Sequence, residues 1–524
     1  MPNGADLLVK TLSDLGVRTI FGYPGASVLP VYDSLSSSSI RHILTAHESG
    51  ACFAAEGYAR STHNVGVVLT TSGPGATNLI TGIADAFMDS VPLVAITGNV
   101  PLSCLGHDTF QEIDIFGVTL PITKWSTIVK SAKEIPETIR KAFSIALSGR
   151  MGPVLIDIPS NILLESAAYT PGTLDIKPKP VINEDDIKAA ADLINKSKKP
   201  LLYVGGGVKN SGAKKEVAQF ALQSFAQVCT SYMGIGCYDP YDGSYLGVLS
   251  DDNPVTTAAI KECDLLISLG ARFNSRFSAF KYLRKKKIPV VQIDMDKSEI
   301  NKNIDSTVAV VGDVKEVLEK LTPLVKVQPE DEWVFKDTLE EEEIEKPRAI
   351  QIIDALCEKL GDTVTITTDV GLHQQWTALN YKFKTPEKFL TSGGLGTMGF
   401  SMGAAIGAHF ATRGKVMAIT SDGSFNMNFN ELATAVKHDI PLIVCIFNNN
   451  SLGLIRKMQL ANGSKKTPQS SLYLGTDYVA LANAMSARGV RILEEDDINA
   501  KLDEALNGTL PVVIDCRISI NEGM

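Results

Sequence analysis

Two stretches of this 524-residue chain, 349 positions apart, carry the same strand–helix–strand pattern. Aligning VVLTTSGPG (67–75) with VMAITSDGS (416–424) puts Ser72 on Ser421. With no gap, Pro92 then falls on Pro441, Leu93 on Leu442 and Asn99 on Asn448. Each copy is an apolar run ending in a small polar turn, a helical stretch, and a second apolar run. A connection of that length implies a βαβ crossover between parallel strands. The first and last thirds of the chain are therefore expected to share one α/β fold. The copies differ in chemistry: the first has Gly73-Pro74 where the second has Asp422-Gly423.

The second copy, 415–455, is the one that can bind a cation. Its polar clusters, Ser421-Asp422-Gly423 and Asn448-Asn449-Asn450, fall at the carboxyl ends of parallel strands, where open α/β sheets hold ligands. Asp422 and Asn449 offer hard oxygen ligands. With a loop carbonyl they can hold Mg²⁺ and leave coordination sites for phosphate oxygens. Either cluster alone is equally the signature of a strand-end turn; the pair, 27 residues apart, favours the metal. Between them, Asn428 is expected to cap a helix bearing Leu432, Ala435 and Val436, with Glu431 completing a capping box.

The chain is too long for one core. Linkers at 171–180, punctuated by Pro and Lys, and at 329–347, acidic and bounded by Pro, divide it into domains 1–170, 182–328 and 348–524. The middle part alternates apolar strands (201–208, 263–273, 288–296, 308–314) with helical stretches, again a parallel α/β pattern. The fold class is thus α/β, with three doubly wound parallel-sheet domains, the first and third related. A net charge of −9 argues against nucleic acid or an anionic membrane surface as partner. The eight cysteines form no CxxC, so neither a zinc site nor a disulfide framework is indicated. Residues 5–16 read as an amphipathic helix rather than a signal sequence, and no apolar run is long enough to span a bilayer. A cytoplasmic location is expected.

Asp422-Gly423 with Asn449 resembles the fingerprint of thiamin-diphosphate (ThDP) enzymes. Segments 22–33, 71–101, 108–125 and 394–408 are similar to the acetohydroxyacid synthase family, also called acetolactate synthase, and the likeness runs along nearly the whole chain. The resemblance implies that the first domain binds the pyrimidine and the third the diphosphate. Glu48, in HESGACFAAEGYAR, would bond N1′ of the aminopyrimidine and favour the tautomer whose 4′-nitrogen is the base. Tyr23, Pro24, Gly25 and Asn78 would lie near the pyrimidine. Val370, Gly371, Leu372 and His373 would contact the diphosphate side, together with Gly423, Ser424, Gly453 and Leu454. Gly396 and Met398 would border the thiazolium, with Met398 propping the cofactor into a bent shape. Asp422, Asn449 and the Ser451 carbonyl would bind Mg²⁺. Phe110 and Gln111 would face the substrate. Arg150, Gly205, Gly206, Arg272, Arg276, Asp294 and Asp313 match positions that contact FAD. On spacing alone the GGG loop is equally the signature of a chain turn.

The resemblance further implies decarboxylation of a 2-oxo acid, pyruvate first, and ligation to a second 2-oxo acid, giving an acetolactate-type product. It implies a homodimer or homotetramer with each site assembled between two subunits, and allows a regulatory small subunit. Departures cluster outside the ThDP apparatus. Met458 replaces a Trp that favours 2-oxobutyrate as acceptor, Ser160 a Lys, and Asn274-Ser275 a pair of Asp residues in the flavin stretch. A 2-oxo acid decarboxylase, or a carboligase with a different acceptor, therefore stays open.

Overall fold

The computed structural model describes residues 1–274, 277–326, 333, 346–464, 466–472 and 475–523. Its strands form three six-stranded sheets. The first holds β1 (Thr19–Tyr23), β2 (Arg41–Leu44), β3 (Gly66–Thr70), β4 (Leu93–Asn99), β5 (Trp125–Ile128) and β6 (Pro153–Pro159), in the order β2-β1-β3-β4-β6-β5. The middle sheet holds β7 (Pro200–Val204), β8 (Gln227–Thr230), β9 (Tyr245–Val248), β10 (Leu265–Leu269), β11 (Val290–Asp294) and β12 (Val308–Val311), in the order β12-β11-β10-β7-β8-β9. The third holds β13 (Thr365–Thr368), β14 (Phe389–Thr391), β15 (Val416–Ser421), β16 (Leu442–Asn448), β17 (Arg488–Ile492) and β18 (Val512–Arg517), in the order β14-β13-β15-β16-β18-β17. The ladders run parallel, as in β3 with β4 and β15 with β16.

The first and third sheets have the same strand order, so the sequence repeat is a repeat of fold. It extends beyond the gapless match. Asn99 at the end of β4 donates to Asp157 on β6, and its counterpart Asn448 on β16 donates to Asp515 on β18. The middle sheet has a different order and is a separate design.

Two compact units result. One comprises Met1–Lys177, Thr363–Gln374 and Leu390–Met524; the other comprises Pro178–Asp362 and Gln375–Phe389. The first unit contains both repeat copies, joined through two equivalent helices, Glu48–Thr62 and Phe400–Thr412. Small side chains let these backbones touch. A Cβ on Gly57 would overlap the Ala404 carbonyl, and one on Gly407 would overlap that of Ala54. Ala51, Ala54, Ala55, Met402, Ala405 and Ile406 then bury together in one core, and Phe53 meets Phe400 edge-on with centroids 5.6 Å apart.

The capping expectation at Asn428 fails. The stretch after β15 forms two helices, Asp422–Asn428 and Glu431–Lys437. Ser421 caps the first by accepting from Ser424 N. Asn428 ends that helix and donates Nδ2 to Gly399 O at 2.6 Å, while Glu431 turns its carboxylate to the other repeat copy. Distant partners have taken both side chains that the local pattern assigned to a cap. Residues 171–180 lie outside any helix or strand; most of 329–347 lies outside the described residues. Among the described residues, no helix is long and apolar enough to cross a membrane.

Because the helix contact leaves no room, Gly407→Ala is expected to destabilise the protein by about 1–3 kcal/mol through overpacking. A lowered denaturant midpoint checks this; a midpoint equal to that of the parent protein would contradict the close approach.

Candidate active site

In the first sheet the strand order reverses between β1 and β3, which opens a crevice at their carboxyl ends. Tyr23, Pro24 and Gly25 leave β1 there, and Thr71-Ser72-Gly73 leave β3. Ser27 Oγ ties the two turns, pairing with Thr71 Oγ1 at 2.9 Å and accepting from Ser72 N at 3.0 Å. Gly73 has φ +59°, and a Cβ there would lie 2.9 Å from Gln111 Cα, so Gln111 packs on this turn. The neighbouring Phe110 is 89% exposed, which makes it a presented ring rather than core. Glu48 is the first residue of its helix, capped by His47, whose Nδ1 accepts from Ser49 N. Asn78 Nδ2 donates to Glu48 Oε2 at 2.9 Å. Asn78 thus orients the glutamate.

In the third sheet the reversal lies between β13 and β15. Val370, Gly371, Leu372 and His373 follow β13; Asp422, Gly423 and Ser424 follow β15; Asn449 and Ser451 follow the adjacent β16. Close approaches gather them. A Cβ on Gly423 would lie 3.5 Å from Met398 Cε, one on Gly396 3.7 Å from Val370 Cγ2, and one on Gly453 2.7 Å from Leu372 Cδ1 and 3.2 Å from Asn449 Nδ2. Leu454 follows in the helix Gly453–Ala461. Burial pushes His373 down to about 3, so its ring is neutral.

Asp422 is buried and its carboxyl is pushed up to about 7, chiefly by burial, against the backbone N–H bonds of Gly423, Asn450 and Ser451. Oδ1 accepts from Gly423 N at 2.9 Å; Oδ2 is buried with no hydrogen-bond partner, as is Ser424 Oγ. Asn449 Oδ1 accepts from Ser451 N at 3.0 Å and keeps a second lone pair. This donor set fits a divalent cation: a buried carboxylate oxygen has no hydrogen-bond partner, and a nearby cation would favour its ionised form.

Residues that the sequence reading missed hold the loops of both copies. Glu431, from the third-domain copy, accepts from Ala46 N at 3.2 Å and His47 N at 3.0 Å, immediately before Glu48. In the reverse direction, Asp89 accepts from Gly393 N at 2.9 Å and Gly394 N at 2.7 Å. Asp85 accepts from Thr397 Oγ1 at 2.8 Å and from Ser392 Oγ, which in turn accepts from Gly396 N and Thr397 N. These carboxylates sit on Ile80–Asp89 and Glu431–Lys437, equivalent helices of the two copies. Their signal in the sequence is acidic residues at helical spacing inside small, apolar stretches, such as Asp85 and Asp89 in ITGIADAFMD.

The positions implied for FAD fare unevenly. In the middle sheet the order reverses between β7 and β10, where Gly205, Gly206 and Arg272 lie. Gly205 and Gly207 are accounted for by packing: a Cβ on Gly205 would lie 2.5 Å from Ala271 Cα, and one on Gly207 2.6 Å from Gly270 Cα. Asp313 caps the helix Val314–Leu321 through Lys315 N and Glu316 N and pairs with Lys179 at 3.2 Å. Asp294 accepts from Asp296 N at 2.9 Å. Arg150 donates to Ser90 Oγ and to Phe87 O within the other unit. Arg276 lies outside the described residues.

Residues 2–118 match the thiamine pyrophosphate enzyme N-terminal TPP binding domain, 187–321 the central domain of those enzymes, and 369–516 their C-terminal TPP binding domain. A probable acetolactate synthase large subunit of Methanocaldococcus jannaschii is 40% identical, over 99% of this chain and 93% of that one. The acetolactate synthase isozyme 2 large subunit of Escherichia coli is 38% identical, over 99% of this chain and 96% of that one. The isozyme 1 large subunit of the same organism is 39% identical, over 99% and 94%.

The raised Asp422 carboxyl has a stability signature. Its folded value, about 7, lies above its ordinary 3.8, so its contribution is full below the lower value and is lost as pH rises through the upper. Ligand-free protein should therefore lose more stability than its Asp422→Asn variant between about pH 5 and about pH 8. Equal losses in thermal unfolding of the two proteins would contradict the assignment.

Proposed function

The chain belongs to the acetolactate synthase large-subunit family of thiamine pyrophosphate enzymes, and from that premise we propose that it decarboxylates pyruvate and ligates the two-carbon fragment to a second 2-oxo acid, giving an acetolactate-type product. The observation that carries this is the gathering, at the switch point of the third sheet, of a buried unpartnered Asp422 oxygen with Asn449, Ser451, Gly423 and Met398.

When bound, thiamin diphosphate supplies a nucleophilic carbon and an electron sink for the loss of CO₂. The residues of this chain bind, orient and exclude water. Asp422, Asn449 and the Ser451 carbonyl would hold Mg²⁺, and Gly423, Ser424 and Gly453 would line the diphosphate. Val370 to His373 would wall the same pocket. Met398 and Gly396 border the reacting ring. Glu48, with one oxygen held by Asn78, keeps a proton at the pyrimidine nitrogen. Phe110 and Gln111 face the substrate.

The 89% exposure of Phe110 supports a homodimer or homotetramer, in which a second copy covers that ring. The relatives are named large subunits, which supports a regulatory small subunit. The free cysteines support a reducing, cytoplasmic setting. For FAD, the resemblance at Gly205, Gly206 and Arg272, which lie where the strand order of the middle sheet reverses, supports a site in that crevice; no chemical step runs through it, and a purified protein without flavin absorbance would remove it.

A second reading rests on Met458, which is 55% exposed on the helix that opens at Gly453, just past the metal loop. With Met in place of the family's Trp, the acceptor side is altered, so a plain decarboxylase or a different carboligase is the alternative. Incubation with pyruvate, ThDP and Mg²⁺ separates them. Acetolactate supports the first reading, acetaldehyde a decarboxylase, and little product without an added acceptor another carboligase. Glu48→Gln is expected to slow turnover about 10²- to 10⁴-fold; full turnover would overturn the mechanism. Asp422→Asn should lose Mg²⁺-dependent ThDP binding, read by titration.

A further inference from the structure

Glu431 is a carboxylate that the chemistry above does not use, yet it is buried and fully engaged. Oε1 accepts from His47 N at 3.0 Å, and Oε2 accepts from Ala46 N at 3.2 Å and from Thr434 Oγ1 at 2.7 Å. No cation pairs with it among the described salt bridges; its carboxyl faces backbone N–H groups at the start of the Glu48 helix and lies in the first turn of its own helix. The space above the next turn is kept clear for it: a Cβ on Gly50 would overlap Glu431 Oε1. His47 is the cap residue, so both clamped N–H groups lie directly before Glu48.

We infer that Glu431 is a positioning residue for Glu48. By gripping two successive N–H groups with one carboxylate, it fixes where the helix begins and hence where the Glu48 carboxyl projects. Asn78 holds that carboxyl from the side, and Glu431 holds the backbone that carries it. Neither isosteric nor shortened replacements can do the same. A glutamine turns an NH₂ toward one of the two N–H donors, and an aspartate loses the reach of one methylene. The mirrored bonds from Asp85 and Asp89 to residues 392–397 show the same device on the other cofactor loop.

This inference rests on the role proposed for Glu48, and its test keeps the two apart. In cofactor-free protein, hydrogen–deuterium exchange of the peptide covering 44–50 should speed up in Glu431→Gln and not in a Glu48→Gln control. In cofactor-loaded protein, exchange of the thiazolium C2 proton, followed by NMR, should slow by at least about tenfold in Glu431→Gln. It should slow no further in the Glu48→Gln/Glu431→Gln double variant than in Glu48→Gln alone. Unchanged amide exchange, unchanged C2 exchange or multiplicative effects in the double variant would each overturn the positioning role. C2 exchange at the parent rate in Glu48→Gln itself would instead overturn the role of Glu48. Should Glu431→Gln not fold, Thr434→Val removes one of the donors to Glu431. A smaller change in both exchange rates in the same directions supports the role, and parent-like rates overturn it.

Discussion

The contact between the helices Glu48–Thr62 and Phe400–Thr412 is what the rest of the active unit depends on. Glycine and alanine stand at its closest points, so the two backbones approach until Gly57 lies against the Ala404 carbonyl and Gly407 against that of Ala54. Such closeness brings each repeat copy within hydrogen-bond reach of the loops of the other. Glu431 then meets the backbone at 46–47, and Asp85 and Asp89 meet residues 392–397. Larger side chains on either helix would lengthen every one of these bonds together. Small residues here serve proximity, since alanine and glycine bury little apolar area of their own.

Burying carboxylates has a cost, and this unit meets it in three ways. Around Arg60 the guanidinium is shared: Glu56 and Asp89 accept from it at 3.0 Å and Asp85 at 3.4 Å. One guanidinium faces three carboxylates, and burial with the charge of Asp85 drives Glu56 well above the usual carboxylate range. Glu431 is satisfied by N–H and O–H donors alone, and burial pushes it up to about 7. Asp422 is left with one bare oxygen and is pushed equally high. The difference is functional in kind. An oxygen satisfied by the fold is fixed to its own chain, whereas an oxygen left bare at a switch point is available to a ligand.

Periodicity and spacing made the repeat legible, and the repeat carried the fold: βαβ units 349 residues apart became two sheets with one strand order. The strand-end positions of Asp422 and Asn449 were legible too, because strand ends and oxygen-bearing side chains both show in one dimension. What escaped was every role set by a distant partner. Asn428 and Glu431 have the spacing of a cap, but each is taken by a residue far away in sequence, Gly399 in one case and Ala46 with His47 in the other. Asp313 carries a flavin position by resemblance, while in the fold it caps a helix and pairs with Lys179. The short edge strands β5, β9 and β14 escaped as well, since runs of 3–4 residues leave too little alternation to read.

The two copies diverge most at one aligned position, and the divergence explains their division of labour. Gly73 and Asp422 occupy the same place after equivalent strands. At Gly73 the backbone takes φ +59°, which a glycine adopts freely, and the segment at Gln111 packs directly on it. That turn cannot carry a side chain into its crevice, so the first copy offers backbone and apolar surface, suited to a flat ring. At Asp422 the chain instead enters a helix in an ordinary conformation, Ser421 supplies the cap, and the carboxyl projects at the strand end. The second copy thereby gains an anionic oxygen where a cation and phosphates can meet. With one change of backbone conformation at a shared switch point, the same sheet order presents two different surfaces.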